Sequence, residues 1–306
     1  MKKVKFIIFV ALCLMFFNQT KAQQAPYYTQ YMFNEYLVNP AVAGTYNYFK
    51  ITANQRIQWI GINDSPRTMS LSGYGPFKER NMGYGGYIYN DVTGPESRLA
   101  LGGSYAYNIA ISDEWRISGG ITVGIMQYKL DGTSMKFDDE VIQSGDPAIP
   151  LGEESRIVPD ASIGLYAHTT YYFVGLSAHQ LLGNKYNVHE ETDSIQGISR
   201  LTQHLYLSGG ANFILNREFL LTPSALIKYT SPGQIQAEIN TKVTYKRMVW
   251  AELAYRTGDA VSIMAGYNYE NRILIGIAYD LTVSDLRRYS NGTIEVMVGY
   301  NFNKIK

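Results

Sequence analysis

Three segments toward the C-terminus alternate between apolar and polar side chains with a period of two. They are residues 235–245, 273–281 and 293–302. In the first segment, Ile235 and Ile239 share one face, whereas Glu238 and Lys242 share the other. Successive side chains of a β-strand point to opposite sides, so the pattern predicts strands with one apolar and one polar face.

A weaker form of the same pattern continues through most of the chain. We predict fourteen strands, at residues 48–60, 67–77, 82–91, 97–109, 113–128, 158–168, 170–180, 203–215, 219–229, 235–246, 249–257, 260–270, 272–282 and 292–302. Every even-numbered connection between them is short, and the long ones, at 129–157, 181–202 and 283–291, are all odd-numbered. Bacterial outer-membrane barrels have short periplasmic turns and longer external loops. The loop lengths therefore favour such a barrel, with both termini in the periplasm and the loops 129–157 and 181–202 outside.

A soluble β-sandwich would show the same alternation, but two further features favour the membrane. Tyrosines recur near the strand ends on the apolar face, where membrane barrels carry aromatic girdles. The polar faces carry charged side chains that we expect to line the lumen: Lys228, Glu238, Lys242, Glu252, Arg256, Glu270, Asp280 and Glu295. The predicted fold is all-β, a transmembrane antiparallel outer-membrane β-barrel of about 14 strands over residues 48–306. A lumen of that width is expected to hold water, charged side chains or a plug.

Composition narrows the class of protein further. Charged residues make up 17% of the chain, against roughly 25% in soluble domains. No stretch after residue 17 approaches the ~18 apolar residues that a membrane helix needs, which argues against a helical transporter. The formal net charge of +1 argues against binding to nucleic acid, because such proteins carry a basic excess.

The first 22 residues have the pattern of a secretory signal peptide. Lys2, Lys3 and Lys5 precede the apolar residues 6–17, and Thr20-Lys21-Ala22 places small residues at positions −3 and −1 of a cleavage site. We expect cleavage after Ala22. The sole cysteine, Cys13, would leave with the signal, so disulfide and thiol chemistry are not expected in the mature protein.

Residues 23–47 lie between this signal and the barrel and do not alternate. Residues 26–37 (PYYTQYMFNEYL) have aromatic and apolar side chains at near-helical spacing, with Pro26 at the start and Asn39-Pro40 at the end. We interpret the segment either as a packed N-terminal arm or as a short helix against the periplasmic mouth. It forms a separate periplasmic or plug-like segment in both cases.

Several stretches, taken in order, resemble the PorP/SprF family of Bacteroidetes. They include residues 27–44 (YYTQYMFNEYLVNPAVAG), 82–95 (MGYGGYIYNDVTGP), 158–182 (VPDASIGLYAHTTYYFVGLSAHQLL) and 222–229 (TPSALIKY). The resemblance implies a non-enzymatic outer-membrane component of type IX protein secretion. It would assist the export or surface anchoring of a cargo protein with a C-terminal sorting domain, in some members a gliding adhesin. The partners it implies are that cargo, periplasmic or peptidoglycan-linking components of the secretion system, and outer-membrane lipid.

An alternative from a different class is a diffusion porin or small-solute transporter, since a porin would also have a charged lumen. An enzyme is not expected, and neither is a cofactor. His179 and His204 would lie on the lumen faces of adjacent strands, with Ser177 on the face of His179. A hydrolase would also need a group that orients the histidine, and none is evident in the sequence nearby.

The partner contacts are expected at both ends of the barrel. The loop 129–157 mixes apolar side chains with the acidic residues Asp138, Asp139, Glu140 and Asp146, and exposed apolar side chains in loops often mark a protein partner. This acidic cluster is more typical of a solvated loop than of a calcium site, so no metal is expected. The candidate partner-contact residues are Tyr28, Gln30, Tyr31, Asn39, Pro40 and Gly44 in the N-terminal segment, and Phe137, Asp138, Asp139 and Ile142 in the loop.

Overall fold

The structure is a computed structural model that describes residues 25–77, 81–134, 152–184, 201–231 and 233–302. Its strands are β1 (Phe49–Ile57), β2 (Arg67–Pro76), β3 (Met82–Thr93), β4 (Glu96–Ala110), β5 (Arg116–Asp131), β6 (Glu153–His168), β7 (Tyr172–His179), β8 (His204–Ala211), β9 (Phe213–Ile214), β10 (Phe219–Thr230), β11 (Gln234–Tyr245), β12 (Val249–Arg256), β13 (Ala260–Tyr269), β14 (Ile273–Thr282) and β15 (Thr293–Phe302). Among the described residues, no helix has the length and apolar character needed to cross a membrane.

The strands form one closed antiparallel barrel. Consecutive strands pair with each other, except that β8 and β9 do not pair and instead both pair with β10. β1 pairs with β15 as well as with β2, which closes the cylinder. The short β9 continues the line of β8 beside β10 in the same register, so the barrel has fourteen strand positions. The predicted all-β barrel of fourteen strands is therefore confirmed. Predicted strand ends agree with the structure within three residues, except that β6 begins at Glu153 instead of residue 158.

The connections differ at the two ends of the cylinder. At one end, which we name the turn end, the connections are 77–81, 111–115, 169–171, 215–218, 246–248 and 270–272. At the other, the loop end, lie the longer connections 58–66, 132–152, 180–203 and 283–292, together with three short ones. This is the asymmetry of an outer-membrane barrel, in which the turn end faces the periplasm.

The wall carries its apolar side chains on the outside. Ile239 is 63% exposed and Leu253 60%, whereas Glu238 and Asn240 on the alternate face of β11 are 2% and 1% exposed. A soluble protein would bury the isoleucine and expose the glutamate. The reversed arrangement suits a wall whose outer surface meets hydrocarbon. Closure of the cylinder also leaves no strand edge exposed, and unpaired main-chain groups at such an edge would be costly in hydrocarbon.

Residues 25–47 occupy the lumen, and we name this segment the strap. It contains three 3₁₀ turns, Tyr31–Phe33, Glu35–Leu37 and Pro40–Val42, where the sequence suggested one short helix. Asn39 starts the third turn: its side chain accepts a hydrogen bond from the Ala41 N–H at 3.0 Å.

Candidate functional site

The strap runs from the loop end of the lumen to the turn end. Thr29 contacts Asp280 and Glu295, which lie near the loop ends of β14 and β15. Further along the strap, Gly44 passes against Gly83 at the turn end of β3. The chain then enters β1 at its turn end, so the strap traverses the lumen before the first strand begins. The first described residues therefore lie at the loop end, whereas the loop lengths predicted an N-terminus on the periplasmic side.

A set of paired, buried charges surrounds the first residues of the strap. The Arg56 guanidinium lies 2.9 Å from the Asp280 carboxylate and 3.2 Å from that of Glu295. The Arg256 guanidinium lies 2.8 Å from Glu238. All five side chains are at most 3% exposed. Removing an ionised group from water costs several kcal/mol, so such a cluster is stable only when its charges are paired.

The strap inserts polar groups into this cluster. The Tyr27 hydroxyl donates a hydrogen bond to Glu238, and the Arg256 guanidinium carbon lies 3.8 Å from the centroid of the Tyr27 ring. The Thr29 hydroxyl lies 2.9 Å from an Asp280 oxygen and also contacts Arg56. These contacts give the charged wall residues hydrogen-bond partners that water would otherwise supply.

Lys228 is the third cation at this level of the lumen. Its side chain is buried, and its ammonium has no hydrogen-bond partner among the described residues. The ammonium lies 5.9 Å from the Tyr27 ring centroid and 6.0 Å from that of Tyr206. Cation–π attraction of this kind is worth more in a desolvated site than at a surface. With Lys228, the cluster contains three cations and the buried anions Glu238, Asp280 and Glu295, and Arg256 also lies 2.8 Å from the partly exposed carboxylate of Asp259.

Further along, the strap contacts other strands of the wall. Asn34 exchanges hydrogen bonds with Ser72, and the Tyr36 hydroxyl lies 2.7 Å from that of Ser104. The Tyr31 hydroxyl accepts a hydrogen bond from Asn240 at 2.7 Å. The strap is thus bound on several sides of the cylinder.

Small cavities remain beside the strap. One of about 60 Å³ lies toward the loop end, lined by Pro26, Tyr87, Tyr206 and others. Another of about 310 Å³ lies at the turn end beside Glu35, whose carboxylate accepts a hydrogen bond from Tyr166 at 3.2 Å. Among the described residues, no group of three or more His, Cys, Asp or Glu side chains is placed to hold a metal ion.

Most of the charged residues expected in the lumen point inward. Lys228, Glu238, Glu252, Arg256, Asp280 and Glu295 are buried on the inner face. Lys242 is half-buried, with its ammonium 4.5 Å from the Phe33 ring centroid. Glu270 is an error of the sequence interpretation. It is exposed in the turn after β13 with φ of +51°, because that strand ends at Tyr269 and the alternation stops there.

The partner-contact candidates of the N-terminal segment are enclosed. Tyr28, Gln30, Tyr31, Asn39 and Pro40 are buried, and Gly44 is half-buried. The surface that these side chains contact is the barrel's own wall, so the expectation that they bind a separate periplasmic protein is not supported by their position. The sequence does not distinguish a buried aromatic segment from an exposed binding segment. The loop candidates Phe137, Asp138, Asp139 and Ile142, like Cys13 and the signal segment, lie outside the described residues.

The Ser/His set considered for catalysis contacts the strap. The Ser177 hydroxyl and His179 Nε2 each donate to the Val38 carbonyl at 2.6 Å. His204 pairs with His179 in the strand register and hydrogen-bonds Thr230 at 3.1 Å. Ser177 and His179 therefore hold the strap, and this role was missed because Val38 is some 140 residues away in sequence. His204 instead joins β8 to β10 within the wall.

The fold and the filled lumen define a class, that of outer-membrane β-barrels with an internal plug segment. A family model described as "Type IX secretion system membrane protein PorP/SprF" matches residues 20–300. The chain therefore belongs to the PorP/SprF family, which confirms the resemblance. A search of curated proteins found none that matches.

Solved structures of similar fold are outer-membrane channels. The CymD monoaromatic hydrocarbon channel has a TM-score of 0.50 at 12% identity, over 87% of this chain and 91% of CymD. A TodX deltaS2S3 mutant monoaromatic hydrocarbon channel gives 0.51 at 11% identity, over 88% and 94% of the two chains. The toluene transporter TodX of Pseudomonas putida gives 0.48 at 10% identity, over 90% and 94%. At such identities the likeness to CymD and to the TodX mutant concerns the fold alone.

Proposed function

We propose that this protein is a non-enzymatic outer-membrane component of type IX secretion that assists the export or surface anchoring of a cargo protein with a C-terminal sorting domain. The observation that carries the proposal is the filled lumen of a chain that belongs to the PorP/SprF family. A porin needs a continuous aqueous path, whereas here the strap occupies the space inside the wall. The cargo is a secreted protein, and a gliding adhesin is one candidate.

The cargo is expected to meet the loop end. The connections 132–152 and 180–203 join strands of the wall at that end, and loops on rigid scaffolds commonly carry binding function. Periplasmic or peptidoglycan-linking components would meet the turn end, where the connections are short and the strap enters β1. Export is proposed to require removal of the signal after Ala22.

The proposal is tested by deleting the gene and measuring the proteins on the cell surface and in the medium. We expect the loss of one or a few proteins with C-terminal sorting domains, while the other surface proteins remain. Complementation uses the full chain and a variant with residues 136–150 replaced by a Gly/Ser linker of equal length. The variant should enter the outer membrane and fail to restore the cargo.

Two outcomes would contradict this role. One is a deletion strain with unchanged surface proteins and reduced uptake of a small solute, which would favour the transporter alternative. The other is full restoration of the cargo by the loop variant, which would place the cargo contact elsewhere on the barrel.

A further inference from the structure

The wall binds the main chain of the strap as well as its side chains. One oxygen of the Glu295 carboxylate accepts a hydrogen bond from the Thr29 N–H at 2.7 Å, and the other accepts from the Gln30 N–H at 3.0 Å. Arg56, at 3.2 Å, and Asn54, at 3.0 Å, hold the same carboxylate in place. A fixed, buried carboxylate thus accepts hydrogen bonds from two consecutive main-chain N–H groups. Such groups occur in nearly every polypeptide, so these two contacts do not select a particular sequence.

Strap carbonyls are bound in the same way. Ser177 and His179 both donate to the Val38 carbonyl at 2.6 Å, and the Lys50 ammonium donates to the carbonyl of Phe33. The bound groups are therefore two amides near one end of the strap and two carbonyls farther along. Main-chain hydrogen bonds of this kind supply affinity in peptide-binding sites, whereas side-chain pockets supply specificity.

The wall also has glycines where the strap passes close to it. A Cβ atom at Gly120 would lie 2.5 Å from the Ala41 nitrogen, and one at Gly164 would overlap the Asn39 side chain. Glycine inside a strand weakens the strand and often marks the close approach of another main chain. The wall therefore has a groove shaped for a polypeptide as well as groups that bind one.

From these contacts we propose that the lumen wall is a polypeptide-binding site in its own right. It accepts in trans the strap of a second copy of this chain when its own strap is absent, because that segment offers two consecutive N–H groups to Glu295 and residues that fit along the glycine groove. Binding in this site is independent of the role proposed in secretion, because it concerns the isolated barrel and a peptide.

The test uses a barrel that lacks residues 25–45, reconstituted in planar bilayers, and a synthetic peptide of residues 25–47. We expect the truncated barrel to conduct ions and the peptide to block it with a saturable dependence on concentration. A second peptide carries N-methyl groups on the Thr29 and Gln30 amides, which removes both hydrogens donated to Glu295. Hydrogen bonds to charged groups are strong, so we expect its affinity to be at least about tenfold lower.

A Glu295→Gln barrel makes the comparison specific. If the two amides bind through this carboxylate, N-methylation should lower the affinity of the peptide for the variant less than about threefold, since the two changes remove the same interaction. Equal affinity of the two peptides for the wild-type wall would overturn the proposal. So would a truncated barrel that conducts and is not blocked by the unmodified peptide.

The full chain provides a second measurement that does not depend on the truncated barrel. Amide hydrogen exchange is followed in the wild type and in Glu295→Gln. We expect exchange to accelerate about tenfold at Thr29 and Gln30, with no change at Leu37 and Val42, whose N–H groups bond within the strap. Unchanged exchange at Thr29 and Gln30, or equal acceleration at all four amides, would contradict binding of the main chain by Glu295.

Discussion

At the scale of single residues, the decisive property is which face of a strand a side chain occupies. Alternation in the sequence assigns Ile239 to the outer face and Glu238 to the inner face, and the structure agrees. A one-residue shift in register would exchange the faces of the whole strand. The facing of a regular strand can therefore be predicted from the sequence alone.

Ile239→Arg tests that facing. A cation on the lipid-facing side near the bilayer midplane should destabilise the barrel by about 2–4 kcal/mol, because the charge loses its hydration. The matched variant is Lys242→Gln on the inner face of the same strand, which should change stability much less. Urea unfolding in lipid vesicles measures both, and equal stability of the two variants would show that the faces are assigned wrongly.

The buried charge cluster makes a second prediction at this scale. Arg256→Met should lower the free energy of unfolding by about 3–5 kcal/mol, because Glu238 and Asp280 lose a buried partner. Lys246→Met removes the ion pair between Lys246 and Glu218, whose side chains are 50% and 48% exposed, and should lower the free energy of unfolding far less than Arg256→Met does. An Arg256→Met barrel as stable as the Lys246→Met barrel would mean that the cluster is not desolvated as described.

At the scale of elements, the strands and their connections could be predicted from the sequence, whereas the strap could not. All the long connections are odd-numbered, and this indicates the two ends of the cylinder. The strap depends on contacts that no local pattern records, since Thr29 and Asp280 are 251 positions apart in sequence. The near-helical spacing of its apolar side chains is compatible with one α-helix and with three 3₁₀ turns, so the spacing did not identify the type of helix either. Glu270 was misplaced for a related reason, because alternation does not show where a strand stops.

Because the strap passes close to the wall, we expect substitution of glycines that face the strap to destabilise the protein more than substitution of glycines on the outer face. Gly120→Ala would place a Cβ atom 2.5 Å from the Ala41 nitrogen and should destabilise the protein by about 1–3 kcal/mol through overpacking. Gly103→Ala on the outer face meets nothing within 4 Å and should be close to neutral. Unfolding in urea compares the two, and a neutral Gly120→Ala would argue against the strap's position.

The path of the strap also predicts that Ala25 lies on the side of the long loops. In a Cys13→Ala variant of the full chain, single cysteines introduced at Ala25, Asn63 and Arg217 report the side of the membrane on which each position lies. Asn63 lies in a connection at the loop end and Arg217 in a turn at the opposite end. A bulky, membrane-impermeant maleimide added to intact cells should label the first two and reach Arg217→Cys only after lysis. Labelling of Ala25→Cys together with Arg217→Cys would reverse the direction of the strap.

At the scale of the whole molecule, the wall and the strap form one closed structure. An apolar outer surface places the cylinder in a membrane, and the inner surface is polar and charged. Arg56 and Arg256 form ion pairs with acidic residues of the wall, and the strap adds hydrogen bonds to those residues. The strap also fills space that a porin leaves to water. Membership of the PorP/SprF family makes this filled barrel a membrane component of type IX secretion.

The central claim is that the lumen is closed by the strap, and single-channel recording in planar bilayers tests it most directly. The full-length protein should show no steady conductance, while the variant without residues 25–45 should show steady steps at the same protein density. Steady, large steps from the full-length protein, equal to those of the truncated variant, would contradict the account and favour a diffusion porin.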